Sequence, residues 1–150
     1  MRTQLNEALK SAMRGRDACA VSTLRLILAA IKDRDIAARG TGRSEGLTED
    51  EILDLLQKMI RQRQESIALY EQGGRLDLVE REAREIEVIR EFLPVQLDEG
   101  ELCAAVRGVV GDLNAVGLKD MGRVMAELRA RYAGRIDFGK ASALARAQLV

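Results

Sequence analysis

Apolar side chains recur at intervals of three and four residues along almost the whole chain, which is the spacing of one face of an α-helix. No segment shows the strict alternation and β-branched enrichment that indicate a strand. The spacing therefore predicts an all-α protein. Breaks rich in glycine, or holding the one proline, separate the periodic stretches. They lie at Gly15, 40–46, 73–74, Pro94, 114–117 and 134–139.

These breaks leave seven predicted helices in two groups. The segment 94–98 is the best boundary between the groups, because proline ends a helix and no apolar periodicity crosses it. We predict a four-helix N-terminal domain over 1–95 and a small three-helix C-terminal domain over 96–150. The predicted helices cover roughly 3–14, 17–39, 48–72, 76–93, 98–113, 119–132 and 140–150.

Helix starts and core faces can also be predicted. Capping boxes, in which a polar residue is followed three positions later by Glu, occur at Thr48 with Glu51 and at Asp98 with Glu101. Side chains at helical spacing define the predicted inward faces. These faces include Leu5, Met13, Leu24, Ile27, Ile52, Leu56, Ala83, Ile86 and Ile89.

The 150 residues include no histidine, and this excludes several kinds of chemistry. Sites built on Ser-His-Asp or Cys-His pairs need a histidine base, and mixed zinc sites need a histidine ligand. Two cysteines, Cys19 and Cys103, are too few to hold zinc and are predicted to be buried apolar groups. No phosphate-binding G-x-x-x-x-G-K-[ST] loop is present. We therefore predict no catalytic residue, metal site or cofactor in this chain.

Acidic and basic side chains balance at 24 each, but they are unevenly placed. Residues 1–47 have 9 basic and 5 acidic side chains, residues 48–101 have 7 and 15, and residues 102–150 have 8 and 4. Such asymmetry can mark an end that binds polyanions, although middle helices with solvated acidic faces give the same totals. No membrane-spanning run and no secretory signal is recognised. A cytoplasmic location with reduced thiols is predicted.

One predicted helix, 119–132, carries a row of cations. Lys119, Arg123, Glu127 and Arg131 follow one another at intervals of four residues, opposite the apolar side. Arg135 and Lys140 extend this positive surface into the following loop and helix. Such a row is what a nucleic-acid phosphate backbone requires. The alternative is a solvated helix face on which Glu127 pairs internally with its neighbours.

The same region carries the most distinctive sequence motif, and it resembles a known family. The segments 118–125, LKDMGRVM, and 132–137, YAGRID, are similar to a signature of the GatB/YqeY family. Further similar segments are EIEVIREFLPVQL over 85–97, RQRQESI over 61–67 and GGRLDL over 73–78. The chain departs from the family pattern at Arg123, where lysine is usual, and at Phe138.

The resemblance implies an all-helical protein whose C-terminal part is similar to the tail domain of the B subunit of the tRNA-dependent amidotransferase. It implies that the partner is tRNA or a related RNA. An amidotransferase or another protein is implied as a further partner, and binding to a membrane is not expected. Such proteins are usually described as carbon–nitrogen ligases with glutamine as amide donor, by relationship. The residues themselves supply no complete active site for that reaction.

The sequence leaves two alternatives open. One is an enzymatic role within a larger complex, which only the family relation suggests. The other is a protein–protein interaction module without RNA binding, in which the acidic middle helices, with Arg61, Arg63 and Tyr70 among them, face a basic partner. The glutamates of the predicted fourth helix, such as Glu82, Glu85 and Glu87, are expected at solvated positions.

Overall fold

The computed structural model describes residues 1–150 and contains seven α-helices, a 3-10 turn and no strand. The all-α prediction is therefore confirmed. The chain forms two compact units, Met1–Leu93 and Pro94–Val150. No helix has the length and apolar character needed to cross a membrane. The helices are α1 Arg2–Arg14, α2 Ala18–Gly40, α3 Glu49–Gln72, α4 Leu76–Arg90, α5 Glu99–Asp112, α6 Met121–Tyr132 and α7 Phe138–Leu149, and the 3-10 turn is Leu118–Asp120.

Side-chain caps fix several helix starts. The predicted Thr48–Glu51 capping box forms with both reciprocal hydrogen bonds at the start of α3. At α5 only half of the predicted box forms: Asp98 accepts from the Glu101 backbone N–H at 2.8 Å, but its own backbone N–H does not donate to the Glu101 side chain. Asp137 caps α7, which therefore begins at Phe138, inside the segment predicted to be a loop.

The first unit is built on a core of α1, α2, α3 and α4 side chains. α4 packs against both α2 and α3, and α1 packs against α2. Most predicted inward residues are buried, but two are not: Met13 is 51% exposed and Ala83 is also exposed. Both lie near the edge of the apolar face of their helix, where apolar spacing does not reliably distinguish buried residues from exposed ones. The side chains buried in this core are Leu5, Leu24, Ile27, Ile31, Ile52, Leu55, Leu56, Met59, Ile60, Ile86 and Ile89.

A buried carboxylate joins the start of α1 to the loop before α3. Asp35 accepts two hydrogen bonds from the Arg2 guanidinium, at 2.6 and 2.8 Å, and one from the Leu47 backbone N–H at 2.8 Å. The Arg2 hydrogen bonds, followed by the Leu47 one, lower the pKa of Asp35 to about 2. Gly46 lies directly against this carboxylate with a φ of +77°. The sequence gives no local signal of this contact, since its partners are more than ten residues apart.

A second buried ion pair joins α3 to α4. Arg63 Nε donates to Glu85 Oε2 at 2.9 Å, and the two side chains are only 13% and 10% exposed. Arg63 also donates to the Met59 carbonyl at 3.1 Å. The expectation that Glu85 is solvated is therefore wrong, because its helix turns this position towards α3. Glu82 is half-buried and Glu87 is exposed.

The second unit is built from α5, α6 and α7. Its buried side chains include Val106, Val124, Leu128 and Ala141, all with no exposed surface. The Arg129 guanidinium lies 4.7 Å from the centre of the Phe138 ring, so the residue that departs from the family pattern joins α7 to the last turn of α6. Both cysteines are free thiols and half-buried, less enclosed than predicted.

Candidate nucleic-acid interface

The five predicted RNA-binding cations lie at two ends of α6 and do not form one continuous row. Lys119 is in the 3-10 turn before α6, so the predicted helical ladder is wrong at its first member. Arg123 is in the first turn and Arg131 in the last. Arg135 follows α6, and Lys140 lies in the first turn of α7, which the Arg129–Phe138 contact holds beside the end of α6.

The cations at the end of α6 are largely engaged within the protein. Arg131 donates to Glu127 Oε1 at 2.7 Å and to Asp112 Oδ2 at 2.8 Å. These two carboxylates raise its pKa, because both stabilise the charged form. Arg135 donates from Nε to the Val95 carbonyl at 3.0 Å. The structure therefore shows the alternative for Arg131, in which Glu127 pairs internally with a neighbouring cation. Lys140 is exposed, and its ammonium group has no carboxylate partner.

The start of α6 is organised by one buried carboxylate. Asp120 is only 8% exposed; its Oδ2 accepts from the Val116 backbone N–H at 3.0 Å, and its Oδ1 accepts from Arg123 at 2.9 Å. The Val116 hydrogen bond, followed by the Arg123 one, lowers the pKa of Asp120. The carboxylate therefore stays ionised at neutral pH, and it fixes both the turn and the guanidinium end of the Arg123 side chain.

The groups around this carboxylate point outward. The Arg123 side chain keeps 57% of its surface exposed. Val116 is 79% exposed and Leu118 is 53% exposed, and Lys119 is exposed without a carboxylate partner. A Cβ placed on Gly122 would meet no atom within 4 Å, so this glycine is not required by packing. We call Val116, Leu118, Lys119, Gly122 and Arg123 together the 116–123 surface.

Much of the most distinctive motif in the chain is therefore exposed on this surface. Sequence reasoning identified Lys119 and Arg123 from their charge and spacing. It missed the exposed apolar pair, Val116 and Leu118, because an apolar residue beside a helix is normally assigned to the core. Chemically, the arrangement offers two exposed cations, of which Arg123 is paired with Asp120, and an apolar rim beside them. It can bind an anion, and none of its groups is placed as a nucleophile or a general base.

Comparison with known proteins shows several relatives over most of this chain. It is 38% identical over 112 residues to a protein of Lachancea thermotolerans named "Altered inheritance of mitochondria protein 41, mitochondrial", covering 73% of this chain and 57% of the relative. The proteins of the same name in Kluyveromyces lactis and Eremothecium gossypii are 36% and 32% identical, over 73% and 83% of this chain. The chain spans 58% and 67% of those two relatives.

These relatives correct one prediction. All three are named as mitochondrial proteins, and the predicted cytoplasmic location is therefore wrong. That prediction rested on the lack of a recognised secretory signal, which does not distinguish the cytoplasm from a mitochondrial compartment.

The family is identified by a match that covers nearly the whole chain. The sequence pattern of the Yqey-like protein family matches residues 2–149, which include both compact units and the 116–123 surface. The match agrees with the resemblance drawn from the motifs at 61–67, 85–97 and 118–125. This chain belongs to the YqeY-like protein family.

Proposed function

We propose that this protein binds tRNA or a related RNA through the 116–123 surface, as an accessory protein linked to tRNA-dependent amide transfer. The observation that carries the proposal is that Leu118, Lys119, Gly122 and Arg123 are all exposed to solvent. Packing against the rest of the unit does not require a glycine at position 122. The resemblance of the C-terminal part to an amidotransferase tail domain supports RNA as the anion. The proposal assigns RNA binding to the predicted C-terminal domain, 96–150. The predicted N-terminal domain, 1–95, has no part in this RNA binding.

The proposed contacts are mainly electrostatic. Lys119 and Arg123 each neutralise a phosphate, and release of the counterions supplies most of the affinity. The Asp120 carboxylate holds Arg123 in place before RNA arrives, which lowers the entropy lost on binding. Val116 and Leu118 present apolar surface to a ribose or base beside the phosphates. Of the other predicted cations, Lys140 is available for a further contact, whereas Arg131 and Arg135 hold the unit together.

The first expected result concerns charge reversal. The variants Lys119→Glu and Arg123→Glu should each weaken tRNA binding about tenfold or more at low salt, and each should lower the slope of log affinity against log salt by about 1. Filter binding or fluorescence anisotropy with labelled tRNA measures both quantities. The matched control is Arg146→Glu, which makes the same charge change at an exposed position of α7.

Three outcomes would contradict the proposal. The first is equal weakening by Arg146→Glu, because the effect would then follow net charge and not the surface. Another is an affinity for tRNA no higher than that for heparin. The third is unchanged tRNA binding by the Lys119→Glu and Arg123→Glu double variant.

A second expected result separates binding from stability. Gly122→Ala should raise the free energy of unfolding by about 0.5–1 kcal/mol, because glycine inside a helix is entropically costly and the new Cβ meets no neighbour. The same substitution should weaken RNA binding, since it fills the space through which a phosphate backbone approaches. Urea denaturation and the tRNA titration measure the two effects. A variant that is more stable and binds as well as the parent would remove Gly122 from the proposed contact.

A further inference from the structure

A groove in the first unit lies between α2 and α3. Its volume is about 390 Å³, and its lining is about evenly divided between apolar residues and polar or charged ones. Charged side chains from both helices stand along its edges. The lining residues are Leu26, Ala30, Asp33 and Arg34 from α2 and Leu55, Lys58, Met59, Gln62 and Arg63 from α3.

The groove follows from how the helices of this unit pack. α4 lies against both α2 and α3, so those two helices are joined on one side mainly through α4. Two helices that are joined mainly through a third helix leave a gap between them. Such a gap is a place where a further helix can pack.

α2 is apolar on two sides, which a helix covered on one side does not require. One side carries the core residues Leu24, Ile27 and Ile31. The other carries Leu26, which is 51% exposed, and Ala30, with exposed Ala37 two turns further along. From α3, Leu55 and Met59 complete the floor.

The charges at the rim favour an acidic occupant. Arg34 on α2 and Lys58 on α3 stand on opposite edges, both exposed and neither paired with a carboxylate. Arg63 is already neutralised by Glu85. Asp33 is the one carboxylate at the rim, so the unpaired cations outnumber it. A partner with carboxylates beside its apolar stripe is attracted, and one with cations there is repelled.

We propose that the groove between α2 and α3 binds an amphipathic α-helix of a partner protein, with its apolar side chains on Leu26, Ala30 and Met59 and its carboxylates beside Arg34 and Lys58. This mode of recognition uses anchors at positions i, i+3 or i+4, and i+7 of the bound helix. It is independent of RNA binding, since the groove belongs to the other compact unit. It also differs from the basic partner considered for the acidic middle helices.

Site-specific photo-crosslinking in cells tests the proposal on the full chain. A benzophenone amino acid replaces Gln62, which lines the groove, and in a matched variant replaces Gln64, which is exposed about 200° further around α3. The Gln62 position should give a discrete protein adduct, and the Gln64 position should not. Mass spectrometry of the adduct should map to a helical segment with apolar residues at the stated spacing and Asp or Glu beside them.

Substitutions then assign the adduct to the groove. Leu26→Asp and Lys58→Glu should each reduce its yield by about fivefold or more, as expected for loss of a central anchor or a complementary charge. The matched controls, Leu76→Asp and Lys32→Glu, make the same changes at exposed positions outside the groove and should leave the yield unchanged. Circular dichroism checks that each variant folds.

Several results would overturn the proposal. Equal crosslinking at Gln62 and Gln64 would show that the groove is not selected. An adduct with a second copy of this chain, with RNA, or with a segment lacking the acidic and apolar pattern would assign the groove to another occupant. The proposal would also fail if Leu76→Asp or Lys32→Glu reduced the adduct yield as much as the groove variants do.

Discussion

Glu85→Ala is expected to lower the free energy of unfolding by about 3–5 kcal/mol, because it removes one partner of a buried ion pair and leaves the other charged. Arg63 is 13% exposed and would keep its hydrogen bond to the Met59 carbonyl and a weaker electrostatic interaction with the half-buried Glu82. Arg81, whose guanidinium lies 3.5 Å from Glu85, also loses a partner, but it is 68% exposed and is solvated by water. Urea denaturation followed by circular dichroism measures the change.

Two further variants identify the origin of this loss. Glu87→Ala removes an exposed carboxylate two residues along α4 and should change stability by less than about 0.5 kcal/mol. The double variant Arg63→Met, Glu85→Leu replaces the pair by apolar groups of similar volume and should regain most of the stability lost in Glu85→Ala. If the double variant is as unstable as Glu85→Ala, the cost comes from lost packing and not from an uncompensated charge.

The helices of this protein follow from short-range sequence pattern, whereas its buried polar contacts do not. The capping box at Thr48 and the apolar spacing of α3 are set within one or two turns of chain, and both were predicted correctly. Glu85 also has an exposed neighbour at i−4, Arg81, and this spacing is typical of a surface ion pair. Its buried partner, Arg63, is 22 residues away on another helix, and no local pattern links the two.

The same distinction applies to the candidate interface. Lys119 and Arg123 were found from charge and spacing, and the structure leaves both largely exposed. Arg131 has the same local signature but pairs with Asp112, which is 19 residues earlier on α5. Whether a surface cation is available to a ligand thus depends on tertiary neighbours. Exposed apolar residues such as Leu118 are missed for a related reason, since sequence periodicity does not show which apolar residues remain uncovered.

Gly46→Ala is expected to destabilise the first unit by at least about 3 kcal/mol, combining backbone strain with a steric overlap. Gly46 has a φ of +77°, which costs a residue with a Cβ roughly 1–2 kcal/mol. The new Cβ would also overlap Asp35 Oδ1 and lie 2.9 Å from its Cγ. The carboxylate must then move away from Arg2 and the Leu47 N–H, which weakens charge-assisted hydrogen bonds.

Two glycines of the same segment serve as matched controls. Gly42 has a φ of +91° but open space around it, so Gly42→Ala should show the backbone strain alone, about 1–2 kcal/mol. Gly40, the last residue of α2, has neither feature, and Gly40→Ala should be neutral or slightly stabilising. The difference between the Gly46 and Gly42 variants measures the contact with Asp35. Equal losses in the two variants would show that this contact contributes nothing.

Acid titration provides an independent measure of the same contact. The pKa of Asp35 is lowered from 3.8 to about 2 in the folded protein, so its ionised form stabilises the fold above pH 3.8, and this contribution is lost as the pH falls towards 2. Displacing the carboxylate in Gly46→Ala returns its pKa towards 3.8. The variant should therefore lose less stability than the parent across this interval, whereas Gly42→Ala should keep the parent's dependence. An unchanged acid dependence in Gly46→Ala would mean that the carboxylate keeps its hydrogen bonds and that the new methyl group is accommodated by movement of the loop.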